Sequence, residues 1–292
     1  MNRFEGVGKV SDVITYPVKS LPGVRRSAVR ITANGLEGDR LFALARRGVD
    51  QDGVSPKLTL RESPGLGAIT PEYGDGCVIL RKEGMNRPLA LSTDSYRDKE
   101  VVIKSFRGVL PLLGIYAGKE AADWMAEAIG DEDVQVVAIP DDKNHWRSIG
   151  AGDQRQGAAT RTGRGTDGYP VHYINLSSLS AFNDARAQQG LGRIGPERFR
   201  ANVEINGSFE PFAENSWGGI AIGDVPVELM ALGGCKRCVT IEVDQKKGER
   251  GNDVMKSLNA LQGEMVFGTW ASPSVSSVGQ EIVVGQAVVP IV

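Results

Sequence analysis

Two cysteines with two cations between them stand out in Gly233-Gly234-Cys235-Lys236-Arg237-Cys238. The thiolate, not the thiol, is the nucleophile and the metal ligand, and nearby positive charge favours it. Lys236 and Arg237 carry that charge. Thiol exchange, metal ligation and the packing of small side chains in a turn all remain open for the pair. A thioredoxin-type pair opens a helix after a strand, whereas Val239-Thr240-Ile241-Glu242-Val243 has strand composition. Structural zinc needs four ligands; the third cysteine, Cys77, is distant in sequence, and His145 and His172 are isolated. One thiolate holding a soft-ligand metal cofactor, with Arg, Lys, Asn and Ser on its anionic tail, fits the pieces better. Spacing does not identify that cofactor.

Candidates for the anion lie elsewhere in the chain. Tyr169 to Asn175 reads as a strand delivering Leu176-Ser177-Ser178-Leu179-Ser180 to a helix near residues 179–189. Hydroxyls and free amides at such a turn suit an anion, although serines also serve there as plain caps. The alternation in Phe199-Arg200-Ala201-Asn202-Val203-Glu204-Ile205 predicts a strand with Arg200 and Asn202 on one face, able to clamp an oxygen-rich ligand. His172, at the end of an apolar run, reads more simply as a core or rim residue. Ser148 to Gly168 is polar and glycine-rich with Arg155, Arg161 and Arg164, and reads as a long loop.

The elements that must position these residues are mostly short strands. Val7 to Val18, Val24 to Ile31, Leu41 to Ala45, Lys57 to Leu60 and Cys77 to Leu80 predict a small mixed or antiparallel barrel in the front half. Pro17 argues against a central ladder position. Ala121, Trp124, Met125, Ala128 and Ile129 fall at helical spacing before Gly130, which predicts a helix near residues 119–130. Val225 to Met230 and Val239 to Val243 predict strands flanking the cysteine turn, and the apolar C-terminal runs could close a barrel. At 292 residues, 41% hydrophobic and 24% charged, the chain can hold one large β domain or two modest ones. A formal net charge of -2 gives no general reason to bind nucleic acid. Three cysteines make no disulfide framework, so a reducing, cytoplasmic compartment is expected. Neither a signal peptide nor an 18-residue apolar span is evident, so no integral membrane segment is expected. A P-loop and a Rossmann fingerprint are absent.

Taken in order, Tyr16-Pro17-Val18-Lys19-Ser20, Gly38-Asp39-Arg40, Phe199-Arg200-Ala201-Asn202, Ala213-Glu214-Asn215-Ser216-Trp217 and Cys235-Lys236-Arg237-Cys238 resemble a known pattern. The chain resembles the MOSC-domain family, in the class of the mitochondrial amidoxime-reducing component and its bacterial relatives, over nearly its whole length. The resemblance implies a mainly β fold with some α: a MOSC-type β-barrel core combined with an N-terminal MOSC β-barrel domain. The implied division is residues 1–118 and 119–292, with a cofactor cleft shared between them. The implied cofactor is molybdenum-molybdopterin, its metal on Cys238, with Cys235 nearby and unbound. Carried over by position, Lys19, Ser20 and Arg40 form one wall; Ser177, Ser178, Arg200, Asn202, Lys236 and Arg237 form the other. The family has proline where this chain has Ala201, which costs rigidity and leaves both polar side chains.

The implied activity is two-electron reduction of an N-hydroxylated or other N-oxygenated small compound. No ferredoxin-type cysteine cluster follows Cys238, so the resemblance implies an external electron donor of ferredoxin, flavin reductase or cytochrome b5 type. MOSC domains also end molybdenum-cofactor sulfurases, so the runner-up is a cofactor carrier or sulfur-handling binding protein. A complete sulfurase would need a pyridoxal-phosphate domain, which is absent from this sequence. A third reading is a non-enzymatic module in which Cys238 is structural.

Overall fold

The alternating run that opens the chain folds as a strand, Gly8–Thr15, in the computed structural model, which describes residues 8–94, 96, 99–104, 111–142, 145, 147–148, 162–166 and 168–292. Val10 and Val13 point into a core shared with Val203, Ile205, Leu229 and Val288 from the second half. The strand belongs to an eight-stranded sheet that runs Val203–Gly207, Val171–Asn175, Val266–Pro273, Val227–Lys236, Gly219–Ile222, Ala287–Ile291, Gly8–Thr15 and Val24–Arg26. Gly8–Thr15 also pairs back onto Val203–Gly207, which closes the sheet into a barrel. Closure leaves few unpaired edges, so most backbone donors and acceptors are satisfied within the ladder.

The front half forms a second β part. Phe42–Ala45, Gln135–Ala138, Leu112–Tyr116 and Glu100–Ile103 make an antiparallel sheet, and Ile69–Gly74, Cys77–Lys82 and Leu89–Ser92 make a meander beside it. Helix α1, Lys119–Ile129, buries Ala121, Ala122, Trp124, Met125 and Ala128, and its apolar face joins the core of these strands. Gly130 ends it with φ 67°, the left-handed C-cap that glycine adopts without a Cβ penalty. Helix α2, Leu176–Gln188, starts earlier than its composition predicts because the Asn175 side chain caps it, accepting from Ser177 N at 3.0 Å.

The structure departs from the periodicity reading around the cysteines. Gly233, Gly234 and Cys235 lie inside the strand Val227–Lys236, where its ladder with Val266–Pro273 slips at two irregularities. Val239–Glu242 is a 3-10 turn, not a strand: Ile241 N donates to Cys238 O at 3.1 Å. Lys57 to Leu60 makes a single bridge, Lys57 to Ala45, in place of a strand. Helix α3, Val254–Gln262, occupies a stretch for which no element is predicted. Among the described residues no helix is long and apolar enough to cross a membrane.

Candidate functional site

Two backbone crossings build the front wall of a cleft between the β parts. Lys19 N donates to Phe42 O and Phe42 N to Pro17 O, while Arg40 N donates to Tyr16 O, all at 2.8 to 2.9 Å. The Tyr16–Ser20 and Gly38–Arg40 segments therefore lie side by side. Ser20 (φ 75°) and Arg40 (φ 50°) both take left-handed conformations, which turn them toward the cleft. Lys19 Nζ donates to Gly165 O at 2.8 Å. Gly165 is itself required there: with φ 64°, an added Cβ would sit 2.8 Å from Ile139 Cδ1.

The opposite wall comes from the second half. Arg200 caps the 3-10 turn Pro196–Phe199 with φ 55°, so it is not the strand residue that alternation predicts. Its NH1 donates to Leu21 O at 2.7 Å, tying this wall to the front half. Arg237 NH2 donates to Phe199 O at 2.8 Å, and Arg237 Nε is buried without a hydrogen-bond partner. A buried unpaired donor is costly unless something accepts from it. Lys19, Ser20, Arg40, Arg200, Asn202, Lys236, Arg237 and Cys238 all line this one cleft, joined by Arg61, Thr240, His172, Tyr169 and Trp270. No carboxylate lines it among the described residues. Arg200 and Arg237 are oriented by carbonyl oxygens, which aim a cation without cancelling its charge, whereas Arg40 is ion-paired through NH1 with Asp39 Oδ2. Burial pulls Arg200 down to about 10, with Tyr16 opposing and Arg40 adding repulsion, so it stays charged at neutral pH. The result is a concentrated positive site in a chain of net charge -2.

The serine turn goes elsewhere. Ser178 Oγ donates to Glu214 Oε2 at 2.8 Å and accepts from Phe212 N at 2.7 Å; Ser177 Oγ donates to Gly207 O at 3.2 Å. Neither serine lines the cleft, because both hydroxyls are used in joining α2 to the loop after Gly207. Asn202 does line it, but its amide spans strands: Oδ1 accepts from His172 N and Nδ2 donates to Ile14 O. Arg155 and Arg161 lie outside the described residues, and Arg164 donates to Ile139 O beside the cleft.

The two cysteines occupy different environments. Cys235 is buried and accepts from Arg237 NH1 at 2.7 Å; burial pushes its thiol up despite that cation. Cys238 is half-buried, with its sulfur 3.1 Å from Thr240 Oγ1. Burial alone would raise it, but hydrogen bonds from Thr240 and Arg61 outweigh burial and the thiol is pulled below its usual range. Arg61 carries no sequence signal, since Leu58 to Leu60 reads only as an apolar run. His172, also in the cleft, is driven down to about 3 by burial and then by Arg237, so it is a neutral ring there. Among the described residues no group of three or more His, Cys, Asp or Glu side chains is placed to hold a metal ion.

The MOSC N-terminal beta barrel domain matches residues 7–132, and the MOSC domain matches residues 160–289. Mitochondrial amidoxime reducing component 2 of Bos taurus is 28% identical over 249 residues, spanning 84% of this chain and 69% of that protein. Its Homo sapiens counterpart is 27% identical over 249 residues, spanning 84% and 70%. A molybdenum cofactor sulfurase of Anopheles gambiae is 25% identical over 289 residues, spanning 94% of this chain but 35% of the sulfurase. The expected cytoplasmic location is overturned by these comparisons: the amidoxime-reducing relatives are mitochondrial by name, so few cysteines and an unremarkable start do not assign a compartment. With the two domain matches taking up most of its length, the chain belongs to the MOSC-domain family and is homologous to both the amidoxime reducing components and the molybdenum cofactor sulfurases.

Proposed function

We propose that the chain is a molybdenum-cofactor-dependent reductase of N-hydroxylated or other N-oxygenated compounds, supplied with electrons by a separate redox protein. The observation that carries this reading is the placing of one half-buried thiol, Cys238, in the same cleft as a wall of cations from both halves of the chain. A molybdopterin needs both a thiolate for its metal and donors for its anionic tail, and the partnerless Nε of Arg237 is one such donor. Cys238 would hold the metal; Lys19, Ser20, Arg40, Arg200, Lys236 and Arg237 would hold the tail. When bound, the molybdenum would supply two-electron oxygen-removal chemistry. The protein binds, orients and encloses. Cys235 keeps Arg237 in place, and neutral His172 adds no charge to the floor. Overall, a substrate N–O bond is broken with two electrons from the donor and two protons, yielding the amine or amidine and water.

The sulfurase relatives favour a second reading, in which the cleft carries the cofactor or handles its sulfur without reducing a substrate. One experiment separates the two. Protein made in a cofactor-competent host is assayed for molybdenum and pterin, then for turnover of an N-hydroxylated compound with a low-potential chemical reductant. The reductase reading expects stoichiometric molybdenum and turnover that Cys238→Ser abolishes. Bound cofactor without turnover would favour the carrier reading, and absence of both molybdenum and pterin would reject each.

A further inference from the structure

Tyr16 touches both walls of the cation set. Its ring centre lies 4.8 Å from the Arg40 guanidinium carbon and 4.3 Å from that of Arg200. Its amide donates to Asp39 Oδ1 at 2.6 Å, one residue before Arg40. Its hydroxyl donates to Ala201 O at 3.0 Å, one residue after Arg200. The side chain is only 3% exposed, so the ring meets these cations in a site shielded from water. Both arginines also hold left-handed backbones, φ 50° and φ 55°, a conformation unfavourable to a non-glycine residue. Two strained turns, one from each β part, converge on one aromatic ring.

We infer that Tyr16 is a positioning residue whose ring holds the Arg40 and Arg200 guanidiniums together, so that the cleft meets a phosphate dianion with its donors already arranged. This rests on the reading of the cleft as an anion site. Like charges repel strongly away from water. Left unanchored, two guanidiniums would splay, and the cost of bringing them together would fall on ligand binding. The negative face of an aromatic ring attracts both cations without neutralising either. Arg40 is also ion-paired through NH1 with Asp39 Oδ2, so the ring's part is to bring the Arg200 guanidinium beside an arginine that is already anchored. Arg200 is instead oriented by Leu21 O and Gln245 Oε1, both uncharged acceptors.

The test uses the full chain produced without cofactor and titrated calorimetrically with inorganic phosphate at low ionic strength. Tyr16→Phe keeps the ring and loses only the bond to Ala201. Tyr16→Leu removes the ring. Replacing Tyr16 with trifluorophenylalanine keeps the ring's shape while draining negative charge from its face, which guards against a leucine variant that fails to fold. The expected result is near-normal affinity for Tyr16→Phe and a roughly tenfold weaker Kd for the fluorinated ring and for leucine. A purely structural role would move thermal midpoints and leave the fluorinated protein's Kd unchanged. Wild-type or tighter phosphate binding by that protein, while Arg200→Ala loses affinity, would overturn the inference alone. Equal binding by wild type and Arg200→Ala would defeat the anion-site reading and this inference with it.

Discussion

Arg237 reaches back to Cys235, placing NH1 2.7 Å from that sulfur, and leaves Cys238 to Thr240 and Arg61. The nearer cation therefore serves the buried thiol. Burial still wins at Cys235, whose thiol is raised, whereas the hydrogen bonds at Cys238 win over burial and lower it. Two cysteines that look equivalent in sequence have opposite acid–base behaviour.

That asymmetry predicts a single reactive thiol in the Cys235–Cys238 pair. Iodoacetamide should label Cys238 several-fold faster than Cys235 near neutral pH, following thiolate fraction and access. Cys238→Ser should remove the fast phase and bound molybdenum together, while Cys235→Ser should keep both. Peptide mapping by mass spectrometry reads the labelling. Comparable rates at the two sulfurs, or a Cys235–Cys238 bond on mild oxidation, would return the pair to thiol exchange.

Ser178 is predicted to matter for stability and not for the anion. Its hydroxyl sits buried between Glu214 and Phe212 N, so Ser178→Ala leaves a buried acceptor and a donor short of a partner. The expected cost is about 1–3 kcal/mol in denaturant unfolding. Phosphate affinity should hold. A variant with normal stability and weakened phosphate binding would restore Ser178 to the cleft.

The cleft was legible where the chemistry is carried by side-chain type. Arg200, Asn202, Lys236, Arg237 and Cys238 stand out by residue type, Lys19, Ser20 and Arg40 come from the family resemblance, and all of them line it. Helix α1 was legible because its apolar spacing ends on a glycine that takes the left-handed cap. The serine turn misled because a hydroxyl at a helix start serves a cap, a tertiary bond or a ligand with the same local sequence. Val239 to Val243 misled because β-branched residues only record a fit to half-buried surface, and here Glu242 draws the chain into a turn against α3. Arg61 was invisible, since only tertiary structure brings it to Cys238.

Glu204 predicts a pH effect unrelated to the cleft. It is 4% exposed, opposite Asp12 in the ladder of Gly8–Thr15 with Val203–Gly207. Burial, then Asp12, pushes its carboxyl up to about 7, with Arg25 opposing and Glu197 adding a smaller repulsion. A raised folded pKa means the native state binds the proton more tightly than the unfolded chain, so stability falls as pH rises between the unfolded value and about 7. Glu204→Gln should stabilise the protein at pH 8 by up to about 3 kcal/mol and flatten that slope. Urea unfolding of both proteins from pH 4.5 to 8 measures it; parallel curves would show that Glu204 is not the source.

Glu242 is predicted to brace the Cys238 turn through α3. Its two carboxylate oxygens accept from Val254 N at 3.0 Å and Met255 N at 2.8 Å, satisfying donors that the first turn of α3 leaves free. Beyond the other end of the helix, Arg237 N donates to Met265 O at 2.7 Å. The segment carrying Cys238 is thus held on one side by the start of α3 and on the other by the chain just past its end, with Cys238 at the head of the 3-10 turn that ends in Glu242. Glu242→Gln replaces one acceptor with a donor and should cost about 1–2 kcal/mol, as loss of a helix cap does. The informative readout is hydrogen exchange. If the turn is braced by the helix, exchange should quicken in residues 237–242 as well as in 253–262, and iodoacetamide should reach Cys238 faster. Faster exchange confined to residues 253–262 would show that α3 frays alone and that the thiol keeps its place without it.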